Sequence, residues 1–257
     1  MKRVIFMAWL DYKGHSSAFN MEEFIALKLA YPFVSMVFYC VLASYAYNTT
    51  DVKEWVVGNT FLLCTNICIF SLGGGFLGER YYGRIRSIIV SPISKMEIVL
   101  EKGFFPCLLC VITTVIGFGA GCLLFNVEVD TMQILMIFLT LVVAMSSAVG
   151  FGLVLSAVGL VTDQMQMILN IASYILLLFS GANFPVSQLP KWSQWVSKMV
   201  PLTKSIEVAR RILDNNYDVG ELLIKEILLA CFFVIIAIAV IKVAEKSAIK
   251  NANIEMF

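Results

Sequence analysis

The sequence of 257 residues has little charge and only one histidine, and both shortages limit the functions that the protein can have. Asp, Glu, Lys and Arg make up 14% of the chain and the net charge is +1, so nucleic acid is not predicted as a partner. The single histidine, His15, precedes the first long apolar run. A Ser/His hydrolase acting within a membrane would need its base at membrane depth. Proteolysis is therefore disfavoured, and the sequence offers no catalytic residue.

The sequence also lacks the phosphate-binding loop GxxxxGKS/T, so the chain has no usual cradle for the phosphates of ATP. Gly73, Gly75 and Gly78 spell GxGxxG, but they end an apolar run and do not follow a strand. Close helix packing explains them better than dinucleotide binding. No cofactor is predicted for this chain, and any energy source must come from a separate subunit.

Seven cysteines are an odd number, and none falls between residues 185 and 225, so an extracellular disulfide framework is not indicated. Cys64 and Cys68 are one helical turn apart, and Cys107 and Cys110 form a CxxC pair. All four lie in apolar runs without histidine or carboxylate neighbours. This setting favours reduced thiols that pack in a core over zinc or a redox pair, and no metal site is predicted.

Long uncharged apolar runs are abundant. Apolar residues make up 60% of the chain, and the mean hydropathy is +0.85. A helix needs roughly 20 residues to cross hydrocarbon, and continuous runs favour helices over the alternating strands of a barrel. The last apolar run is short, and it crosses the membrane if Lys225 and Glu226 lie near the membrane surface. We predict an all-α polytopic membrane protein, a single transmembrane domain over residues 1–257, with six spans at 24–47, 55–78, 103–126, 132–160, 164–184 and 221–242.

The distribution of lysine and arginine predicts the orientation of these spans. The gaps at 48–54 and 128–131 hold only Lys53, whereas residues 79–102 hold five basic residues. If both termini lie on the side of residues 79–102, 12 of the 19 basic residues are cytoplasmic. We therefore predict cytoplasmic termini. Residues 1–23 are predicted to form an interfacial helix on membrane lipid, because tryptophan and tyrosine suit the headgroup layer.

Residues 79–102, called the basic segment below, separate two apolar runs. Isoleucines at i, i+3 and i+4 predict a short amphipathic helix over residues 79–90, and Pro92 ends it. Ser94 and Glu97 have the spacing of a capping box and predict the start of a second helix that leads into the third span. The segment is either a loop whose charges fix the topology or a docking element for a cytoplasmic protein.

The basic segment resembles the cytoplasmic loop of type-2 ATP-binding-cassette (ABC) exporter permeases, in ERYYGR at 79–84, SPIS at 91–94 and EKG at 101–103. In that family this loop carries the coupling helix. The chain departs from the family pattern at Gly83-Arg84, where the family often has Gly-Thr. The resemblance implies ATPase-coupling roles for Glu79, Arg80, Gly83, Arg84, Ile85, Ile88, Ser91 and Pro92.

A second resemblance follows the fifth predicted span. Residues 181–192, residues 201–203 and Arg210 are similar to the family segment that typically forms short extracellular re-entrant helices between spans five and six. Prolines would interrupt any long helix here, and tryptophans suit a membrane interface, so the residues favour the same interpretation. The predicted re-entrant segment is 185–220, marked by Phe184, Pro185, Leu189, Pro190, Trp192 and Pro201.

The resemblance extends over essentially the whole chain and implies a permease with two kinds of partner. These are a second permease subunit, in a homodimer or a heterodimer, and a cytoplasmic ABC ATPase that holds ATP and Mg²⁺. The expected cargo is a hydrophobic or amphipathic compound: a drug, an antimicrobial peptide or a lipid-linked product. A polysaccharide or teichoic-acid exporter and a non-transporting membrane scaffold or immunity protein are the alternatives. The expected location is a bacterial plasma membrane.

Uncharged polar side chains within the apolar runs either serve helix packing or line a passage for an amphipathic substrate. The candidate substrate path contains Asn66, Asn170 and Ser173.

Overall fold

The structure is a computed structural model that describes residues 6, 8–10, 31–49, 51–84, 87–88, 91, 94–160, 162 and 164–251. All regular structure in these residues is helical, which confirms the all-α fold class. Short 3-10 turns lie at Gly74–Phe76 and Val186–Gln188. The helices are α1 (Tyr31–Tyr47), α2 (Lys53–Gly73), α3 (Leu77–Tyr81), α4 (Lys95–Leu124), α5 (Thr131–Gly159), α6 (Met165–Phe179), α7 (Lys191–Met199), α8 (Thr203–Leu213) and α9 (Gly220–Asn251).

Four stretches of helix in the described chain are long and apolar enough to cross a membrane: Lys53–Tyr81, Lys95–Leu124, Thr131–Gly159 and Gly220–Val243. Two apolar helices are shorter, Phe33–Tyr47 and Met165–Phe179. At a rise of 1.5 Å per residue, 15 residues span about 22 Å, which is less than the ~30 Å of a hydrocarbon core. The chain is therefore a helical membrane protein, and the count of six spans stays a prediction.

Helix α2 packs against α4 and α5, and α9 packs along α5. Glycines permit this close approach. A Cβ on Gly103 of α4 would lie 2.1 Å from Leu72 Cδ2 of α2, and a Cβ on Gly150 of α5 would lie 3.0 Å from the Ala230 carbonyl oxygen of α9. Because membrane helices associate through packing and not through expulsion of water, small residues decide where they cross.

Hydrogen bonds place the connections between helices at two opposite ends of the bundle. At one end the Arg80 guanidinium donates to the Leu160 carbonyl oxygen at 3.0 Å, which joins the basic segment to the α5–α6 connection. At the other end the Trp55 indole N–H donates to the Asn183 carbonyl oxygen at 3.1 Å, which joins the start of α2 to the chain after α6. Successive connections thus lie at alternate ends.

The start of the chain is described only in part. Phe6, Ala8, Trp9 and Leu10 are helical, and the centroid of the Trp9 ring lies 5.4 Å from that of Phe105 on α4. The rest of the predicted interfacial helix and residues 24–30 of the first predicted span lie outside the described residues.

Helix α4 begins at Lys95, eight residues before the predicted start of the third span. The second part of the basic segment is therefore the first two turns of α4. Ser94 occupies the N-cap position as predicted, but its side chain makes no capping hydrogen bond. The predicted capping box is thus not formed.

Candidate functional site

The basic segment begins inside a helix and turns sharply at a glycine. Helix α3 ends at Tyr81, and Gly83 has a φ of +69°, a value that favours glycine. The chain turns back there, because the Arg84 amide donates to the Glu79 carbonyl oxygen at 2.7 Å. Because a left-handed residue ends the hydrogen-bond ladder of a helix, the structure differs from the prediction of one continuous helix over residues 79–90.

Helical turns resume after Gly83. The Ser91 amide donates to the Ser87 carbonyl oxygen at 3.1 Å, and Ile88 is partly buried against a core cluster that contains Phe76 and Val99. Two of the predicted coupling residues, Ile85 and Pro92, lie outside the described residues. The described coupling residues are Glu79, Arg80, Gly83, Arg84, Ile88 and Ser91.

Glu79 is the centre of an ion cluster that joins α3 to α4. It is buried, with 6% of its surface exposed. Its Oε1 lies 2.7 Å from Lys102 Nζ, and its Oε2 lies 2.9 Å from Arg84 Nε. A buried carboxylate needs such partners, because an unpaired charge away from water is costly. Sequence reasoning missed the pair with Lys102, since 23 residues separate the two and no periodicity connects them.

The exposed surface of the basic segment is aromatic and basic. Tyr81 and Tyr82 are 86% and 65% exposed, and the Arg84 guanidinium carbon lies 5.1 Å from the centroid of the Tyr82 ring. The Arg80 guanidinium instead donates a hydrogen bond to the Leu160 carbonyl oxygen at the α5–α6 connection. The coupling prediction did not include the two tyrosines. The sequence feature that could have indicated them is a pair of adjacent aromatic residues outside an apolar run.

A cleft of about 530 Å³ brings the three predicted path residues together between α1, α2 and α6. Asn66 comes from α2, whereas Asn170 and Ser173 come from α6. The Ser173 hydroxyl donates to Asn66 Oδ1 at 2.9 Å. Polar side chains within apolar runs, which predicted these residues, therefore converge on one surface.

The cleft is apolar with a set of uncharged polar groups. Sequence reasoning missed several of them. On α6, positions 170, 173, 174 and 177 follow the i, i+3, i+4, i+7 pattern of one helix face, so this periodicity could have added Tyr174 and Leu177 to the predicted path. Every lining residue is uncharged: Ser35, Tyr39, Asn59, Leu62, Leu63, Asn66, Ile67, Phe70, Ser71, Asn170, Ser173, Tyr174 and Leu177.

The 185–220 segment contains two short helices, α7 and α8, and prolines lie at their boundaries. Pro190 is the N-cap residue of α7, and Pro185 precedes the 3-10 turn Val186–Gln188. Of the other marker residues, Phe184 and Trp192 are exposed, Leu189 is partly buried and Pro201 is buried. The chain enters this segment through Gly181, which has a φ of +84°.

Glu226 of α9 is buried within the helix bundle. None of its surface is exposed, because the chain before α8 folds back onto α9. Its Oε1 accepts hydrogen bonds from the Ser147 hydroxyl of α5 and from the Leu202 amide, the latter at 2.9 Å. Leu202 has a φ of +78° and begins α8. The prediction that Glu226 lies near the membrane surface concerns its depth in the bilayer and stays a prediction.

These features define a helical membrane protein with a basic connection at one end and an uncharged cleft along its side. The chain matches the ABC-2 type transporter family over residues 8–213. The match includes the basic segment and the cleft, so the protein belongs to this family and is a permease subunit of an ABC transporter. Permeases of this family generally work with an ABC ATPase and pair as dimers. Comparison with curated proteins gives no match.

Proposed function

We propose that this permease exports a hydrophobic or amphipathic compound: a drug, an antimicrobial peptide or a lipid-linked product. The uncharged cleft is the observation that supports the proposal. An amphipathic molecule can place its apolar part on leucine and isoleucine side chains while its polar part bonds to Asn66 and Asn170. A highly charged molecule would lose its hydration there without gaining an opposite charge.

A polysaccharide or teichoic-acid exporter is the second candidate. It is supported by the aromatic rings of Tyr39, Phe70 and Tyr174 in the cleft. The volume of about 530 Å³ favours the first candidate, because it falls in the range of pockets for single small molecules, roughly 300 to 1,000 Å³. A non-transporting scaffold or immunity protein differs from both candidates in being indifferent to loss of the ATPase.

The energy for export is proposed to come from a cytoplasmic ABC ATPase that holds ATP and Mg²⁺ and docks on the basic segment. The exposed Tyr81, Tyr82 and Arg84 suit such a contact, because aromatic residues and arginine are enriched at protein interfaces. The pair of Glu79 and Lys102 would carry motion of this surface into α4. Two permease subunits, identical or different, would then shift between two states as the ATPases associate.

We propose six spans with both termini in the cytoplasm of a bacterial cell, in one transmembrane domain over residues 1–257. The shorter helices α1 and α6 lie within the first and fifth of these proposed spans, 24–47 and 164–184. The alternation of connections between the two ends supports this arrangement. The basic segment would then be cytoplasmic, and the 185–220 segment would be re-entrant from the outside.

Labelling of single cysteines tests this topology. In a chain freed of its own cysteines, Asn126→Cys and Asp51→Cys should react with a membrane-impermeant thiol reagent added to intact cells. Ser87→Cys should react only after permeabilisation. All three positions are exposed, so accessibility of the side chain does not limit the reaction. The opposite pattern would reverse the orientation.

Variants of the cleft test the proposed function. We expect Ser173→Ala to lose the hydrogen bond to Asn66, and Asn66→Leu to lose the amide as well. A hydrogen bond between the substrate and one of these side chains would contribute about 0.5–1.5 kcal/mol, so its loss should raise the half-saturating substrate concentration about 2-fold to 10-fold. The measurement is ATP-driven transport of a fluorescent amphipathic dye in vesicles that hold the permease and its ATPase.

Ser146→Ala is the matched control, because Ser146 is exposed on α5 and its hydroxyl donates to the nearby Val143 carbonyl oxygen. Its half-saturating concentration should equal that of the unchanged permease. Equal values for Ser173→Ala, Asn66→Leu and the control would contradict a substrate path through the cleft. Dye movement that persists without ATP would contradict energised transport.

A further inference from the structure

We propose that Cys64, Cys68 and Cys110 form a binding site for one soft monovalent metal ion, Cu(I). The site lies between α2 and α4, and it is independent of the proposed export function. The Cys110 sulfur lies 3.3 Å from the Cys64 sulfur and 3.9 Å from the Cys68 sulfur. All three sulfurs lie within 4.8 Å of one another, and all three residues are buried.

The spacing of the sulfurs suits a three-coordinate ion. With metal–sulfur distances of about 2.3 Å, three sulfurs arranged trigonally around an ion are separated by about 4 Å. The Cys110–Cys68 separation of 3.9 Å is close to this value and the Cys110–Cys64 separation of 3.3 Å is shorter, so small side-chain rotations would complete the site. Cys110 is the central ligand because it approaches both cysteines of α2.

The number and type of ligands favour Cu(I) over zinc. Structural zinc is almost always four-coordinate. Cys107 contacts Cys68, but its sulfur does not lie within 4.8 Å of all three, and no histidine or carboxylate among the described residues joins the group. Soft sulfur ligands select Cu(I). Cysteine binds metals as the thiolate, so binding would release thiol protons.

The site is separate from the cleft. Cys64 and Cys68 lie on α2 roughly half a helical turn away from Asn66, which faces the cleft. The hydroxyls of Thr113 and Thr114 donate to the Cys110 carbonyl oxygen at 3.0 and 2.7 Å. A bound ion would join the second and third predicted spans without blocking the path proposed for substrate.

Two reciprocal variants of the full-length permease test the proposal. The first keeps only the three cysteines of the site and replaces Cys40, Cys107, Cys122 and Cys231 with serine. The second replaces Cys64, Cys68 and Cys110 with serine and keeps the other four. Each is purified in detergent without oxygen and titrated with Cu(I) against a chromophoric Cu(I) chelator.

We expect the first variant to retain one Cu(I) per chain and the second to bind at least about tenfold more weakly. X-ray absorption of the first variant should show three sulfur neighbours around copper. Equal retention by the two variants, no retention by the first, or a copper shell without sulfur would each overturn the proposal. Because three serines can disturb packing, Cys110→Ser is compared with Cys122→Ser on the same helix. The first should lose the ion and the second should keep it, with equal size-exclusion profiles.

Discussion

Replacing Glu79 with lysine is expected to abolish ATP-driven transport and to lower the yield of folded permease. The Glu79 side chain is 8% exposed and forms ion pairs with Lys102 and Arg84. A lysine there would bring three cations together at a buried position. Breaking a buried ion pair typically costs about 3–5 kcal/mol. Since folded proteins are stable by about 5–15 kcal/mol, a loss of this size removes much of the margin.

The measurements are membrane abundance, the midpoint temperature of unfolding in detergent, recovery of the ATPase and transport. Glu97→Lys is the matched control, because Glu97 is exposed in the same segment. The exchange variant, Glu79→Lys with Lys102→Glu, restores opposite charges and should recover part of the stability, as coupled residues do in double-mutant cycles. If Glu79→Lys behaves like Glu97→Lys in all four measurements, the ion cluster does not hold the segment.

The spans of this protein could be predicted well where a local property decides the structure. Uncharged runs of sufficient length predicted spans at 55–78, 103–126 and 132–160, and the structure has long apolar helices at all three. Length and hydropathy are sufficient there because lipid forces the backbone to satisfy its own hydrogen bonds. The sharp turn within the basic segment was not predictable in the same way. The isoleucine pattern predicted a helix, but it gave no sign that Gly83 would adopt a positive φ.

Contacts between distant parts of the chain were the least predictable. Cys64 and Cys68 were recognised as neighbours on one helix, but only the packing of α2 on α4 brings Cys110 to them. Asn66 and Ser173 were found because polar groups are unusual in apolar runs, yet their hydrogen bond depends on how α6 packs beside α2. Periodicity carries information about one helix face and none about the partner of that face.

Glu226 shows how a distant segment changes the environment of a residue. It is close to the start of an apolar run, and this position alone gave no sign that another segment would bury it. The turn before α8 covers it, and the Leu202 amide at the start of that helix becomes its partner. The carboxyl group thus anchors the 185–220 segment to α5 and α9 at once. Its Oε2 makes no hydrogen bond with the described residues.

Glu226→Lys is therefore expected to destabilise the permease strongly. An ammonium group would replace a fully buried acceptor, and the Leu202 amide would lose its partner while its backbone stays at a positive φ. The expected loss is several kcal/mol, because both the buried charge and the buried donor would be unpaired. Glu226→Gln keeps an acceptor of nearly the same shape and should be tolerated. Glu226→Ala, which leaves the Leu202 amide unpaired without adding a charge, should lie between the two.

Thermal unfolding in detergent and limited proteolysis of the 185–220 segment measure this order. Glu221→Lys is the control, because Glu221 is exposed one turn earlier on α9 and pairs with Lys225 at the surface. Proteolysis should begin near residues 200–203 in Glu226→Lys and Glu226→Ala, since these variants release the turn from α9. Glu226→Gln and Glu221→Lys should be cut no faster than the unchanged chain. If Glu226→Lys unfolds at the same temperature as Glu221→Lys, the carboxyl group is not the anchor of this segment.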